Sequence, residues 1–400
     1  MFNVEKMPVK ILIVYHVFSY YRLQVMRTLS QDRNLQVTIL AGRYFEAGLK
    51  TIEIKDAYQE LFRLKFVKNI WLFKGNLLWQ SGLISECLSG KYDAIIFLGN
   101  PYFLSTWVAA ILSRWANKKV FFWAHATIRN KLRDKIKLYF YKLAHGLLLY
   151  SNGAKNNLIK YGFNPEDIFV VYNSLDYETQ EKLKEKLDVE KLVLKRKKFF
   201  VYSKDPVLIF IGRLTPEKKL DYLVNVCVQL LQRGMPVNVL FIGGGEEEIN
   251  LRQLVVKNGI QDHVVFYGEC YDEEKLATLI AMSDLCVSPG NVGLTAIHAL
   301  NYGTPVITHN NPYMQGPEYE AIEPGVTGML YEYESLDSLV NIVHDWLAIN
   351  HDKREEIRKK CYEVVGKHYT TSFQASAISF AIYHILGLNN QNSKGKEFSQ

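Results

Sequence analysis

The sequence predicts an α/β protein with two Rossmann-like lobes, each built on a parallel sheet, that face a central cleft. Apolar runs of strand length alternate with helical patterns along the whole chain, which is typical of strands joined by crossover helices. The 400 residues are enough for two domains that each bury a core, and 48% of them are apolar. No long internal repeat and no cysteine scaffold points to another architecture.

The first half contains six predicted strands and five predicted helices. It begins with the apolar run Lys10–Tyr15, which is too short for a secretory signal with its cleavage site and therefore predicts a buried strand. We expect these elements to form a domain over residues 1–175. Strands are predicted near residues 10–16, 35–41, 93–99, 119–125, 146–151 and 168–172, and helices near 20–30, 77–89, 104–116, 131–144 and 153–161.

The second half repeats this alternation and predicts a domain over residues 206–370, followed by a helix over 371–388. The charged segment 176–205 predicts a linker or an insertion between the domains. The polar tail 389–400 is expected to be disordered. Strands of the second domain are predicted near residues 206–212, 237–243, 263–267, 284–288, 304–309 and 328–331, each next to a helix.

The net charge of +7 is distributed unevenly along the chain. Residues 1–172 contain 24 Lys and Arg against 11 Asp and Glu, a net charge of +13, whereas the other residues contain 24 against 30, a net charge of −6. The basic first half favours an anionic membrane surface or an anionic substrate such as a lipid diphosphate. Nucleic acid is not expected as a partner, because no zinc finger, RNP aromatic motif or KH loop occurs.

The sequence argues against a disulfide-bonded protein, a membrane-spanning protein and a metalloprotein. The five cysteines are scattered without CxxC spacing, which predicts reduced core residues in a cytoplasmic protein. No run of eighteen apolar residues occurs that would predict a membrane-spanning helix. No Asp-x-Asp motif and no His, Cys or Asp cluster with ligand spacing occurs, so no metal site is expected.

The segment Ser288–Ile307, with the sequence SPGNVGLTAIHALNYGTPVI, predicts a strand end, a loop, a short helix and a second strand. Gly293 lets the backbone approach a ligand closely, and the amides that follow it begin the helix. Unpaired amides and the positive end of a helix dipole favour a phosphate group. The alternative interpretation is an ordinary turn from a strand to a helix.

A second candidate site lies upstream in Ile209–Leu223, with the sequence IFIGRLTPEKKLDYL. Arg213, Lys218 and Lys219 follow the end of its buried strand, and ligands of open α/β sheets bind outside the carboxyl ends of strands. Arg213 can bind a diphosphate bidentately, while a lysine adds a point charge. The alternative is a solvated charge cluster at the start of the next helix, with Thr215 as the N-cap.

Three segments of the second half follow one another: IGRLTPEKKLDYLV, then VLFIGGGEEEINLRQLVVKNGIQDHVVFYGE, then LATLIAMSDLCVSPGNVGLTAIHALNYGTPVITHN. Their residues and their order resemble the retaining GT-B glycosyltransferases, glycosyltransferase family 4 (group 1) in particular. The resemblance covers residues 206 to about 347 and continues more weakly upstream in FFWAHAT, LLLYSNGAKNNLIKYG and VVYNSLD.

The resemblance implies the GT-B architecture, with an acceptor site in the first lobe, a nucleotide-sugar site in the second and a last helix that crosses back to the first lobe. It implies transfer of a hexose, with retention, from a nucleoside-diphosphate sugar to a glycan or lipid-linked acceptor in bacterial surface polysaccharide synthesis. The nucleotide sugar is a co-substrate, and no other cofactor is expected. A sugar-nucleotide epimerase on the same fold and a non-catalytic GT-B scaffold at the membrane are the alternatives.

The resemblance also implies roles for single residues. Arg213 and Lys218 would hold the donor diphosphate with the amides of Gly293 and Leu294. His125 ends a predicted strand and would lie near the donor sugar and the reacting carbon, although a lone histidine at a strand end is also a common structural residue.

The family usually carries two glutamates eight residues apart around the phosphate loop, and this chain carries Gly290 and His298 at those positions. His298 would form a hydrogen bond with the ribose, whereas Gly290 offers only its backbone to the transferred sugar. Glu318 and Glu320 follow the next strand, and our hypothesis is that one of them reaches the donor sugar or the ribose. The alternative is an acidic surface loop.

Two further segments concern the acceptor and the membrane. In the family, glycines are common after the first strand, where this chain has His16 and the aromatic loop Val17–Tyr21. His16 and Tyr20 are candidates for acceptor binding, although the loop aromatics equally fit a hydrophobic staple of the next helix. Arg129–Leu143 predicts a basic amphipathic helix, with Ile136 and Phe140 among the residues of its apolar face, that contacts an anionic membrane surface. The alternative is a helix that packs on the core and exposes a solvated basic rim. We therefore expect a cytoplasmic protein, peripheral on the inner face of the membrane.

Overall fold

The computed structural model describes residues 7–42, 62–89, 91–129 and 132–388. They form two compact units, of which the first comprises Met1–Ser174 with Thr371–Gln400 and the second comprises Leu175–Thr370. The predicted disordered tail 389–400 lies outside the described residues.

The first unit is built on a sheet of eight strands in the order β4-β3-β2-β1-β5-β6-β7-β8. All neighbouring strands are parallel except β3 and β4, which form an antiparallel pair. The strands are β1 Val9–Val17, β2 Leu35–Gly42, β3 Arg63–Leu72, β4 Leu77–Ser81, β5 Ala94–Leu98, β6 Lys119–Ala124, β7 Gly146–Leu149 and β8 Ile168–Val170, and the helices are α1 Leu23–Ser30, α2 Leu83–Leu88, α3 Leu104–Trp115, α4 Leu132–Tyr141 and α5 Asn152–Lys160.

The central strands are apolar on both faces because helices cover both sides of the sheet. In β1, Ile13 pairs with Ile39 of β2 on one side and with Ile96 of β5 on the other, and all three side chains are buried. A continuous apolar run of five or six residues therefore predicts such strands correctly.

The predicted helix over residues 77–89 is wrong in its first part. Residues Leu77–Ser81 form β4 and pair with β3, for example Ser81 with Lys68, and only Leu83–Leu88 is helical. β3 was not predicted, because in RLKFVKNIWL the charged side chains interrupt the apolar run. Pairing between the two segments therefore outweighs the helical pattern of residues 77–89.

The second unit has a sheet of six parallel strands in the order β11-β10-β9-β12-β13-β14. Each strand was predicted from the sequence within a few residues. The strands are β9 Val207–Ile211, β10 Asn238–Ile242, β11 Val264–Gly268, β12 Leu285–Val287, β13 Val306–His309 and β14 Gly328–Tyr331, and the helices are α6 Tyr177–Lys184, α7 Val189–Phe199, α8 Leu220–Gln232, α9 Glu248–Lys257, α10 Glu273–Ala281, α11 Thr295–Asn301, α12 Leu336–Asn350 and α13 Arg354–His368.

The segment expected as a charged linker, residues 176–205, carries the two helices α6 and α7 of the second unit. Aspartates cap both helices: the side chain of Asp176 accepts a hydrogen bond from the amide of Thr179, and that of Asp188 from the amides of Glu190 and Lys191. Such caps stabilise short helices whose composition is largely charged.

The last helix, α14 Thr371–Ile385, belongs to the first unit. It packs against α1 and buries Ile378 and Ala381 in the same apolar cluster as Ile11 and Ile13 of β1. At the start of the helix, the hydroxyl of Ser174 donates a hydrogen bond of 2.8 Å to the side-chain oxygen of Gln374.

Phe140 of α4 anchors this helix to the first sheet, because its fully buried ring stacks on Phe122 at 4.2 Å and contacts Trp107 at 4.8 Å. Replacing Phe140 by Ala is expected to lower the free energy of unfolding of the first unit by about 3–5 kcal/mol, measured by urea unfolding. The matched control is Tyr139→Ala on the same helix, which should cost less than about 0.5 kcal/mol because Tyr139 is 68% exposed. Equal losses for the two variants would contradict this packing.

Candidate functional site

The first sheet changes its winding direction between β1 and β5. The chain passes from β1 to β2 on one side and returns to β5 on the other, and ligands of open sheets bind at such switch points. A pocket of about 220 Å³ lies there, at the carboxyl ends of four strands. It is lined by Tyr15, His16, Val17, Ser19, Tyr21, Arg22, Leu98, Gly99, Asn100, Phe103, Trp123, Ala124, His125 and Tyr150.

This pocket, which we call the first-unit pocket, brings together two of the predicted site residues, His16 and His125. Burial lowers the pKa of His16, so its imidazole is neutral near pH 7. The exposed ring of His125 lies 4.6 Å from that of Tyr150. Tyr20 begins a short 3₁₀ turn beside the pocket, and its side chain lies outside the described residues.

Sequence reasoning missed Arg22, which also lines the first-unit pocket and is only 6% exposed. Its Nη1 donates to the side-chain oxygen of Asn173 at 3.1 Å, and its Nη2 donates to the hydroxyl of Tyr150 at 2.5 Å. The guanidinium carbon lies 4.8 Å from the ring centroids of Tyr21 and Trp123. The available signal was an arginine directly after the aromatic loop that follows the first strand.

The second sheet has its switch point between β9 and β12. Two hydrogen bonds join the loops that follow these strands, and a third joins the first residue of α11 to the last residue of β9. The amide of Gly290 donates to the carbonyl of Lys218 at 3.0 Å, and Nζ of Lys218 donates to the carbonyl of Asn291 at 2.5 Å. The hydroxyl of Thr295 donates to the carbonyl of Ile211 at 3.0 Å.

Gly290 is required by the direct contact of these two loops. A Cβ atom at this position would lie 2.1 Å from the carbonyl oxygen of Glu217 and 2.7 Å from Cα of Lys218, both of which are backbone atoms. Where the family usually has a glutamate, this chain therefore packs backbone on backbone and has no room for a side chain.

The predicted cations and amides occur together at this switch point. The side chain of Arg213 is exposed and forms no hydrogen bond in the described part of the chain, although its carbonyl accepts one from the amide of Thr215. Burial lowers the pKa of Lys218, and the positive charge of Arg213 lowers it further while Glu217 opposes the shift. The amides of Gly293 and Leu294 likewise form no hydrogen bond to any described residue, and Gly293 has a φ of +53°. This set of groups favours a diphosphate.

Of the two candidate acidic residues, Glu318 lies beside the loop that contains Gly293. It is 4% exposed, and its Oε2 is 2.7 Å from the point where a Cβ of Gly316 would stand. The same point is 3.2 Å from Cα of Gly293. Glu320 is half-buried. The pKa of Tyr319 is raised mainly by the burial of Tyr319 itself and then by the negative charge of Glu320.

His298 contacts a carboxylate that the sequence did not reveal. Its Nε2 lies 2.9 Å from Oε1 of Glu273, the first residue of α10. The same oxygen accepts hydrogen bonds from the hydroxyl of Tyr302 at 2.8 Å and from the amide of Gln180 at 2.9 Å. Although burial alone would raise the pKa of Glu273, these donors hold it below its ordinary value, so the carboxylate is ionised near pH 7.

The predicted apolar face of α4 is wrong in one respect. Phe140 lies in the core, whereas Ile136 is 60% exposed and faces solvent with Tyr139. The helix therefore presents exposed apolar side chains next to Lys135, a charged neighbour on its outer surface.

No group of three or more His, Cys, Asp or Glu side chains in the described ranges could hold a metal ion. Within the same ranges, no helix combines the length and the apolar character that a bilayer crossing requires.

Two family models match most of the chain. Residues 194–364 match the model described as "Glycosyl transferases group 1", and residues 21–179 match the model described as "Glycosyltransferase Family 4". Among curated proteins, an uncharacterized 41.2 kDa protein in the cps region of Klebsiella pneumoniae is 27% identical over 206 residues, which is 50% of this chain and 51% of that protein. The chain spans about half the length of the first curated relatives that it matches.

Solved structures share the fold over nearly the whole chain. HepE (Alr3699) from Anabaena, in complex with UDP, has a TM-score of 0.68 at 17% identity and covers 94% of this chain and 99% of its own. A glycosyltransferase from Rickettsia africae has a TM-score of 0.71 at 17% identity and covers 96% of this chain and 100% of its own. The predicted GT-B fold, with two Rossmann-like units, is therefore confirmed.

Replacing Glu273 by Gln is expected to lower stability at pH 7 by about 1–3 kcal/mol, because three donors lose their ionised acceptor. In the unfolded chain the pKa of Glu273 is 4.5, and in the folded protein it is lower. The ionised carboxylate therefore stabilises the fold fully above pH 4.5, and this stabilisation is lost as the pH falls through the lower pKa of the folded protein. The difference in stability between the wild type and Glu273→Gln should therefore become smaller below pH 4.5. Thermal unfolding between pH 3.5 and 7 measures this difference. The exposed neighbour Glu274→Gln is the control, and equal effects of the two substitutions would contradict this role of Glu273.

Proposed function

Because the chain belongs to the group 1 and family 4 glycosyltransferases, we propose that it moves a hexose from a nucleoside-diphosphate sugar to a glycan or lipid-linked acceptor. The observation that carries this proposal is the set of cationic side chains and backbone amides at the switch point of the second sheet. Arg213, Lys218 and the amides of Gly293 and Leu294 present positive charge at the carboxyl ends of two adjacent strands.

In this proposal, the second unit binds the donor through its diphosphate. Arg213 and Lys218 neutralise the charge that develops on the leaving diphosphate when the bond to the sugar breaks, and the amides contribute hydrogen bonds. The reaction then needs no metal ion for this step. HepE, which shares the fold, binds UDP, so uridine nucleotides are the first donors to test.

The sugar and the ribose of the donor need acceptors of hydrogen bonds. In our proposal Glu318 supplies one, and its buried carboxylate next to the loop of Gly293 supports this role. Glu320 belongs to the same 3₁₀ turn, while Gly290 offers only backbone atoms to the sugar. His298, oriented by Glu273, would contact the ribose.

The first unit would hold the acceptor in the first-unit pocket. His16 and His125 line this pocket, and in our proposal His125 hydrogen-bonds to the donor sugar near the reacting carbon. The sugar leaves the diphosphate with retention at the anomeric carbon. Surface polysaccharide synthesis is the proposed setting, supported by the Klebsiella relative from a cps region.

A peripheral contact with an anionic membrane is part of the proposal. Residues 1–172 carry a net charge of +13, and α4 exposes Ile136 and Tyr139 beside its lysines. Exposed apolar side chains within a basic surface bind to anionic headgroups by insertion and by charge together. Such a contact would bring a lipid-linked acceptor to the first unit.

The donor site is tested by calorimetry with UDP and GDP. Replacing Arg213 or Lys218 by Ala is expected to weaken nucleotide binding about 10- to 100-fold, since each substitution removes a charge-assisted hydrogen bond. Lys219→Ala is the matched control, because the amino group of Lys219 is paired with Glu334 at 2.9 Å, and its affinity should stay within about twofold of wild type. Failure of the wild type to bind any nucleoside diphosphate would refute the proposal.

The membrane contact is tested by flotation with liposomes of phosphatidylcholine, with and without phosphatidylglycerol. The wild type should float only with the anionic liposomes, and Ile136→Asp with Tyr139→Asp should abolish most of this binding. Ile249→Asp is the control, because Ile249 is similarly exposed on α9 of the second unit. Equal flotation of both variants would show that α4 does not contact the membrane.

A further inference from the structure

Arg22 is a buried cation for which the described residues supply no negative charge. Its side chain is 6% exposed, yet no hydrogen bond or ion pair joins it to a carboxylate in the part of the chain that the structure describes. Its hydrogen-bond partners, Asn173 and Tyr150, are neutral. A guanidinium is always charged, and burying it without a counter-ion costs several kcal/mol.

The first-unit pocket contains other buried donors that lack partners. Among the described residues, Nε of Arg22, the hydroxyl of Tyr15 and Nε1 of Trp123 are buried without a hydrogen bond, and all three side chains line the pocket. Burial raises the pKa of Tyr15, so its hydroxyl remains protonated and can donate. Buried donors without acceptors are rare in folded proteins, and here they surround one cavity.

The described residues that line this pocket include no Asp or Glu. Arg22 is the one permanent cation among them, since burial keeps His16 neutral. The rings of Tyr21, Trp123 and Tyr150 lie 4.8–5.3 Å from the guanidinium carbon, which holds the cation against aromatic walls. These walls also suit the apolar face of a sugar ring.

We propose that the first-unit pocket binds an anionic group of the acceptor, either the carboxylate of an acidic sugar or a phosphate of a lipid-linked diphosphate, with Arg22 as its counter-ion. The anion supplies the negative charge that Arg22 lacks and accepts hydrogen bonds from the buried donors. The inference rests on the proposed function in one respect, because that function makes the ligand an acceptor.

The carboxylate arm compares methyl β-glucuronide with methyl β-glucoside, which differ in one charged group, by calorimetry on the full chain. The wild type should bind the glucuronide at least about tenfold more tightly than the glucoside. Arg22→Met should remove this preference, and Arg22→Lys should keep part of it because the charge is retained.

The phosphate arm uses inorganic pyrophosphate. Arg213→Ala with Lys218→Ala forms the background, so that the donor site of the second unit does not bind the probe. If the double variant binds pyrophosphate and the triple variant with Arg22→Met does not, the ligand group is a phosphate. Glucuronide preference without pyrophosphate binding identifies a carboxylate.

A structural role of Arg22 predicts a different result for stability. Without ligand, Arg22→Met should keep or raise the melting temperature, because it removes an uncompensated buried charge. A lower melting temperature together with unchanged glucuronide preference would assign Arg22 to folding alone and overturn the inference. If Arg22→Met does not fold, Arg22→Lys and the two matched sugars decide the question.

The inference is also overturned if the wild type does not distinguish the two sugars and the background variant does not bind pyrophosphate. Nucleotide binding by the second unit is measured separately and should be unchanged in Arg22→Met. If the wild type binds neither UDP nor GDP, the proposed function is refuted. If the wild type binds nucleotides but shows no preference for the anionic probes, only the role of Arg22 is refuted.

Discussion

The second unit depends on the backbone contact between the loops that follow β9 and β12. Gly290 lies directly on the carbonyl of Glu217 and on Cα of Lys218, and Nζ of Lys218 returns to the carbonyl of Asn291. This contact fixes one cation and leaves no space for a carboxylate between the loops. Glu318, whose buried carboxylate lies near Gly316 and Gly293, belongs to a different element from these two loops.

The same topological rule places a candidate site in each unit, but the residues give the two sites different chemistry. At the switch point of the first sheet, aromatic rings and two histidines surround a single arginine. At the switch point of the second sheet lie exposed Arg213, half-buried Lys218 and the amides of Gly293 and Leu294, which form no hydrogen bond to a described residue.

The sequence predicts those features of this protein that depend on residues close to one another in the chain. Central strands such as β1 and β9 were predicted because burial on both faces makes them continuously apolar. Arg213, Lys218 and Gly293 were proposed as site residues because they lie in the loops that follow such strands, and their role stays a prediction. Strand β3, which lies between β2 and β4, was missed because its charged residues interrupt the apolar pattern. Arg22 and Glu273 were missed because their roles depend on distant partners, such as Tyr150, which lies 128 positions from Arg22.

Because α14 follows the whole second unit in the chain, a ribosome completes Leu175–Thr370 before this helix is made. At about 5–20 residues per second, the interval lasts about 10–40 seconds. During it, α1 and the apolar side of β1 lack the cover that Ile378 and Ala381 later provide. While the second unit is being synthesised, the nascent polypeptide therefore carries an incomplete first unit, whose uncovered apolar surface favours chaperone binding until translation ends.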